Sequence, residues 1–178
     1  MFSFTESPRL TEFERQVLPH LDAAYNLARF LMRNDQDAED VVQEAALRAF
    51  RFFDTFRGEN SRAWFLRILR NTAFTALKRN RMGEEKVVFD EELHGGQIPP
   101  LDAGIALDLA QERQTVRAAI EQLPGEFREA ITLRELEGMS YKEIADVADV
   151  PIGTIMSRLA RARRQLQLLL TKTYTETK

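Results

Sequence analysis

The segment at residues 138–164 constrains the fold most strongly, because it combines a helix cap, a break and a second helix. Ser140 can cap a helix that begins after it, and Glu143, three residues later, can complete a capping box. Gly138 suits the end of the preceding helix. Pro151 cannot continue a helix interior but fits the first turn of a new helix. The pattern predicts a helix, a tight turn and a second helix.

The second helix of this segment is basic. Residues 150–171 contain four arginines and no acidic residue. Ile155 and Leu159 fall on an apolar stripe, which leaves the other faces to polar side chains. Such a helix suits DNA phosphates and a major groove about 12 Å wide. A basic helix packed on a bundle with solvated arginines is the alternative, but the cap and the break favour a DNA-reading helix-turn-helix.

Composition narrows the function classes. The 178 residues are 44% apolar, enough for one ordinary domain or two small ones. The chain has no cysteine and only two histidines, His20 and His94, so thiolate metal sites are excluded and catalytic triads are poorly supported. We therefore expect no enzyme, cofactor or metal. No apolar run reaches about 20 residues and no secretory signal precedes the first helix, so we expect a cytoplasmic protein without membrane insertion.

The net charge of -3 conceals two basic segments. Residues 60–81 hold six basic residues and no acidic one, whereas residues 84–112 hold eight acidic residues and one lysine. Local patches, rather than the total, determine where a polyanion binds. Glycine and proline interrupt residues 83–104, which predicts an acidic linker there. The predicted domains are residues 1–82 and 105–178.

The first domain is predicted to be helical. Apolar residues recur at three and four spacing over residues 10–33, and Pro19 inside this pattern predicts a kink or two helices. A further helix is predicted at residues 38–53, starting after Asp35 or Asp37. It carries a local acidic and amide surface. Taken alone, that surface is a solvated face with acids favourably placed near a helix N-terminus.

The loop at residues 52–60 is aromatic and precedes a basic helix predicted at residues 61–81. We expect it to expose Phe56 beside Arg57, with Arg67 and Asn71 on the polar side of the helix. Aromatic and basic side chains together suit unpaired bases. The alternative is that the loop aromatics close a helical core and the basic face is solvated. Trp64 lies on the apolar stripe and is expected in the core.

Two segments resemble the bacterial sigma-70 superfamily, specifically its extracytoplasmic-function (ECF) group. The first comprises residues 37–51 (DAEDVVQEAALRAFR) and 56–58 (FRG). The second comprises residues 131–146 (ITLRELEGMSYKEIAD) and 151–163 (PIGTIMSRLARAR). The resemblance implies an all-α fold of two small helical domains, a region 2-like bundle and a region 4-like helix-turn-helix, joined by a flexible acidic linker.

The resemblance also implies the role of a promoter-specificity subunit of RNA polymerase. The partners it implies are the β and β′ subunits of core RNA polymerase, promoter DNA and an anti-sigma factor. Docking on the clamp helices of β′ is expected at Asp40, Gln43 and Glu44. Recognition of the melted minus-ten element is expected at Phe56, Arg57, Arg67 and Asn71. Recognition of the minus-thirty-five element is expected at Met156, Ser157, Arg158, Ala160 and Arg161.

Two other functions use the same sequence features. A conventional repressor or activator would bind duplex operator by itself, usually as a dimer on paired half-sites. A partner-binding decoy would titrate an anti-sigma protein without supporting transcription. A repressor needs neither the acidic helix surface nor the aromatic loop, and this favours the sigma interpretation.

Overall fold

The computed structural model describes residues 7–83 and 105–176, where all regular structure is helical. The all-α prediction is confirmed for this part of the chain. The predicted linker lies outside it, apart from Gly83 at the end of a helix. Within the described residues, no helix is long and apolar enough to cross a membrane.

The first module contains four α-helices within residues 8–83. They are α1 (Pro8–Val17), α2 (Leu21–Met32), α3 (Asp35–Phe52) and α4 (Ser61–Gly83). Short 3-10 turns, Leu18–His20 and Phe53–Thr55, follow α1 and α3. The second module contains α5 (Ile105–Glu121), α6 (Gly125–Ile131), α7 (Tyr141–Ala148) and α8 (Ile152–Glu176), with a π-helical turn at Thr132–Leu136.

The helix ends of the first module confirm one local prediction and differ from another. Pro19 lies in the 3-10 turn between α1 and α2, so the predicted break is confirmed. Helix α3 begins at Asp35, earlier than predicted, because Asn34 is its cap. The Asp37 backbone N–H donates to Asn34 Oδ1 over 3.0 Å, which satisfies a donor that the first helical turn leaves free.

The helix-turn-helix has the predicted caps. The Glu143 N–H donates to Ser140 Oγ (3.2 Å), and the Ser140 N–H donates to Glu143 Oε2 (2.8 Å). The hydrogen bond from that backbone N–H lowers the pKa of the Glu143 carboxyl group. Gly138, with φ of 64°, ends the preceding turn, and Asp149, with φ of 55°, ends α7 in the left-handed conformation. Ile155 is buried, so α8 packs its apolar face on the module as predicted.

Replacing Ser140 with alanine is expected to lower the free energy of unfolding by about 1 kcal/mol, because an N-cap side chain is lost. The Ser140 side chain adds to the backbone N–H in lowering the pKa of the Glu143 carboxyl group, and the variant removes only the side-chain contribution. That contribution is present above the unfolded pKa of glutamate and is lost as the pH falls through the lowered folded pKa, so this part of the effect should disappear in acid. Urea denaturation at several pH values measures it. Thr115→Ala is the matched control, because it removes a hydroxyl that bonds the Gln111 carbonyl within α5. Equal losses in both variants would contradict the capping role.

The two modules pack against each other. Helix α4 contacts α7, α2 contacts α6, and buried apolar side chains from both modules form one continuous cluster. At one contact point, Phe74 of α4 lies against Gly125 at the start of α6. A Cβ atom at this glycine would lie 3.8 Å from Phe74 Cε1. No pattern in the sequence predicts this packing. It places part of the basic surface of α4 in contact with the second module.

Candidate nucleic-acid interface

Helix α3 presents one polar face to solvent. Asp40, Gln43 and Glu44 are all exposed, and their spacing of three and four places them on one side of the helix. Arg48 donates to Glu44 Oε1 over 2.7 Å, which holds that carboxylate in the helix surface. The opposite side is buried through Ala38, Val41, Ala45 and Ala49.

An apolar residue missed by the sequence analysis lies on the same polar face. The Leu47 side chain is 69% exposed. It follows Gln43 by four positions and Glu44 by three, so the helical period alone could have grouped it with them. Single exposed leucines are common on protein surfaces, so any role for Leu47 depends on the polar side chains that share its face.

The aromatic loop differs from the prediction at Phe56. The ring is half-buried because it stacks on Phe53, at 6.2 Å between centroids and 18° between planes, and lies 5.1 Å from the Trp64 ring. Arg57 is exposed as expected, and Trp64 packs against the core. Phe52, which was not among the predicted site residues, is the exposed aromatic beside this loop.

Helix α4 carries the other two predicted minus-ten residues, Arg67 and Asn71, on its exposed surface. Neither is free of contacts. Arg67 Nη2 donates to Asp149 Oδ1 in the turn of the helix-turn-helix over 2.5 Å. Asn71 Oδ1 accepts a long 3.4 Å hydrogen bond from Arg70. Of the predicted minus-ten residues, Arg67 therefore contacts the second module, whereas Asn71 contacts only its own helix in this pairing.

Two further arginines of α4 belong to the same surface but were not among the predicted site residues. Arg62 Nη2 lies 2.7 Å from Glu137 Oε2, and Arg70 Nε lies 2.5 Å from Glu129 Oε1. Glu129 is 1% exposed, and burial raises the pKa of its carboxyl group while the Arg70 charge opposes that rise. Both arginines were counted in the basic run of residues 60–81, which was the available sequence signal.

The predicted minus-thirty-five residues on α8 differ in their exposure to solvent. The exposed group is Met156, Ser157, Ala160 and Arg161. Arg158 instead turns toward α6, where its Nη2 lies 3.2 Å from Glu126 Oε2, and only 16% of its side chain is exposed. It lies at the edge of the stripe formed by the buried Ile155 and Leu159, so its long side chain reaches the flank of the module.

The described part of the chain contains no group of three or more His, Cys, Asp or Glu side chains placed to hold a metal ion. What it does contain is three separated surfaces: an acidic and amide face on α3, a basic face on α4 and an exposed face on α8. The first is suited to a protein partner. The faces on α4 and α8 carry hydrogen-bond donors, which suit the acceptor atoms of phosphates and base edges.

Known protein families match the same two modules. Residues 17–82 match the sigma-70 region 2 family, and residues 113–166 match the sigma-70 region 4 family. The chain is 42% identical over 137 residues to the ECF RNA polymerase sigma-E factor of Escherichia coli K12, covering 73% of this chain and 72% of that relative. The chain belongs to the ECF sigma factors. The predicted resemblance is thus confirmed.

A further relative and two solved structures are also similar to this chain. The sigma-E factor of Haemophilus influenzae is 39% identical over 148 residues, covering 79% of this chain and 77% of the relative. Among solved structures, RpoE of Bartonella quintana, in complex with the anti-sigma factor NepR, has a TM-score of 0.73 and 33% identity. That match covers 90% of this chain and 98% of the RpoE chain. CnrH, in complex with the cytosolic domain of CnrY, has a TM-score of 0.63 and 27% identity, covering 91% of this chain and 89% of CnrH.

The two family regions divide the candidate surfaces of this ECF sigma factor. Region 2 contains the polar face of α3 and the basic face of α4, and region 4 contains the exposed face of α8. Both families therefore cover the residues that carry the predicted contacts. The roles of the individual residues stay predictions.

Proposed function

We propose that this protein binds core RNA polymerase, recognises the minus-thirty-five and minus-ten promoter elements and promotes DNA opening for transcription initiation. The observation that carries the proposal is the presence in one sigma factor of an exposed recognition-helix face on α8 and a basic face on α4. The face on α8 suits binding in a major groove, and the basic face on α4 suits binding to melted strands.

Each surface has a proposed role. Asp40, Gln43 and Glu44 of α3 bind the clamp helices of β′, with Leu47 as their apolar anchor. Residues of α4 and its preceding loop hold the melted minus-ten strand, with Arg57 on phosphate and Asn71 on a base or sugar. The exposed face of α8 reads the minus-thirty-five element, with Arg161 as its cation.

The proposed mechanism has no catalytic step by the sigma factor itself. Contacts with unpaired bases offset the cost of opening the duplex, since unstacking costs a few kcal/mol per step. Arginine contacts to phosphate supply affinity that falls with salt, whereas base-edge contacts supply sequence selection. Such a protein acts where promoter DNA and polymerase are, so we propose a cytoplasmic location.

We also propose an anti-sigma factor as a regulatory partner. The support is that RpoE, a sigma factor of similar fold, was solved in complex with the anti-sigma factor NepR. A candidate anti-sigma protein should compete with core polymerase for this chain. Unchanged affinity for core in its presence would contradict this part of the proposal.

Run-off transcription over a promoter library tests the main proposal. Transcripts are expected only when core polymerase and this protein are both present, and Asn71→Ala should reduce them about tenfold through a lost strand contact. Asn80→Ala is the matched control, since Asn80 is an exposed asparagine further along α4, and it should have little effect. Duplex binding without core would favour a conventional repressor or activator. Partner binding with no transcript would favour a decoy.

A further inference from the structure

Helix α8 carries a row of apolar side chains on its exposed face. Ile152 is 49% exposed and Met156 is 55% exposed. Ala160 is exposed as well, and the spacing of four residues places all three along one side of the helix. Apolar residues scattered singly on a surface are ordinary, whereas this row extends over two turns of a recognition helix. The packing of α8 on its module does not explain the row, because Ile155 and Leu159 form the buried stripe.

The surroundings of the row suit DNA. Ser157 and Arg161 are exposed on the neighbouring side of the same helix. Residues 150–171 contain four arginines and no acidic residue. A polyanion is therefore attracted to this helix, and its approach brings the apolar row to the edges of the bases in a major groove.

The surface beside Met156 is open. Gly153 lies three residues before Met156, so the two positions are neighbours on the helix. A Cβ atom at Gly153 would meet no other atom within 4 Å. Side chains of a helix lean toward its N-terminus, which directs a residue at position 156 over the turn that contains position 153. A group the size of a methyl can therefore reach Met156 without meeting a side chain at the glycine.

Base pairs of unmodified DNA present one apolar group in the major groove, the C5-methyl group of thymine. The other groups on the base edges are hydrogen-bond donors and acceptors, which a thioether side chain leaves almost without partners. Resting on the proposed promoter function, we propose that Met156 binds the C5-methyl group of a thymine in the minus-thirty-five element. Ile152 extends the same apolar contact, and the chain thereby selects thymine at that position.

Thymine and uracil differ only in this methyl group, and the difference gives a direct test. Holoenzyme assembled from core polymerase and the full chain first selects promoters from a library randomised in the minus-thirty-five element. Each thymine of the selected element, on either strand, is then replaced by uracil, and promoter affinity is measured by competition. The wild-type chain is expected to bind about threefold to fivefold more weakly after replacement of one particular thymine, the effect of one buried methyl group.

Variants of Met156 assign the effect to its side chain. Met156→Ala should bind the selected promoter more weakly by about the same factor, and it should no longer distinguish thymine from uracil at that position. Met156→Leu keeps an apolar side chain of similar volume and should retain the distinction. Leu168→Ala is the matched control, because Leu168 is 65% exposed further along α8, and it should behave as the wild type. Circular dichroism checks that the variants are folded.

Salt dependence separates the methyl contact from the arginine contacts. The ratio of the affinities for thymine and uracil should stay constant between about 0.05 M and about 0.3 M salt, because a methyl contact releases no counterions. Arg161→Ala should instead reduce the slope of log affinity against log salt concentration by about 1. A thymine-to-uracil ratio that falls as salt rises would overturn the proposal.

Equal affinity for thymine and uracil at every position in the wild type would also overturn it, as would a ratio that Met156→Ala leaves unchanged. An equal loss in Met156→Ala on promoters without a minus-thirty-five element would assign the row to a protein partner and refute the methyl contact. Run-off transcription from the selected promoters separates this inference from the promoter function. Transcripts without any preference for thymine refute only the methyl contact, whereas the absence of transcripts with core refutes the promoter function on which it rests.

Discussion

Replacing Leu47 with aspartate is expected to weaken binding to core RNA polymerase about 30-fold or more, the effect of losing one interface hot spot. Leu47 is exposed on the face of α3 that carries Asp40, Gln43 and Glu44. An apolar side chain there gains by burial against a partner, whereas aspartate would lose that apolar contact and add a carboxylate that has to be desolvated. Its removal costs the free chain little, because most of the side chain is already in contact with solvent.

The measurement is a titration of dye-labelled protein with core polymerase, followed by fluorescence anisotropy. Leu168→Asp is the matched control, because Leu168 is 65% exposed on α8, away from the α3 face. Circular dichroism should show both variants folded. Equal losses of affinity in the two variants, or none in Leu47→Asp, would contradict the assignment of this face to polymerase.

Local features of this chain were predictable because each depends on residues close in sequence. Ser140, Glu143 and Pro151 determine the helix-turn-helix through a cap and a missing backbone donor, and Pro19 separates α1 from α2 in the same way. The acidic face of α3 was also predictable, since helical periodicity places its members together. These predictions needed no knowledge of how the modules meet.

The contacts between modules depend on partners distant in sequence, and periodicity carries no information about them. No sequence pattern identifies Asp149 as the partner of Arg67, and only the packing of α4 on α7 joins them. Phe56 was expected to be exposed because it lies in a loop beside Arg57, but the neighbouring rings of Phe53 and Trp64 bury part of it. A charged side chain at the edge of an apolar stripe is equally ambiguous, as Arg158 illustrates.

Arg158→Ala is expected to lower the free energy of unfolding of the second module by about 1–3 kcal/mol. The arginine is the ion-pair partner of one carboxylate, and its positive charge also lies near a second carboxylate that is buried. The lost partners are Glu126, at 3.2 Å, and the buried Glu129, whose pKa the Arg158 charge lowers against the rise caused by burial. Arg161→Ala should leave stability unchanged, since Arg161 is exposed. It should weaken binding to minus-thirty-five promoters about tenfold.

The pair of variants separates an arginine predicted to stabilise the module from one predicted to read DNA, within a single helix turn. Urea denaturation and transcription from promoters with and without the minus-thirty-five element give the two readouts. Selective loss on the element-bearing promoters should belong to Arg161→Ala, while Arg158→Ala should reduce both promoters in proportion to the unfolded fraction. If Arg158→Ala keeps full stability and loses only the element-bearing promoters, then Arg158 leaves Glu126 when DNA binds. The ion pair with Glu126 would in that case be a resting position for a residue that reads DNA.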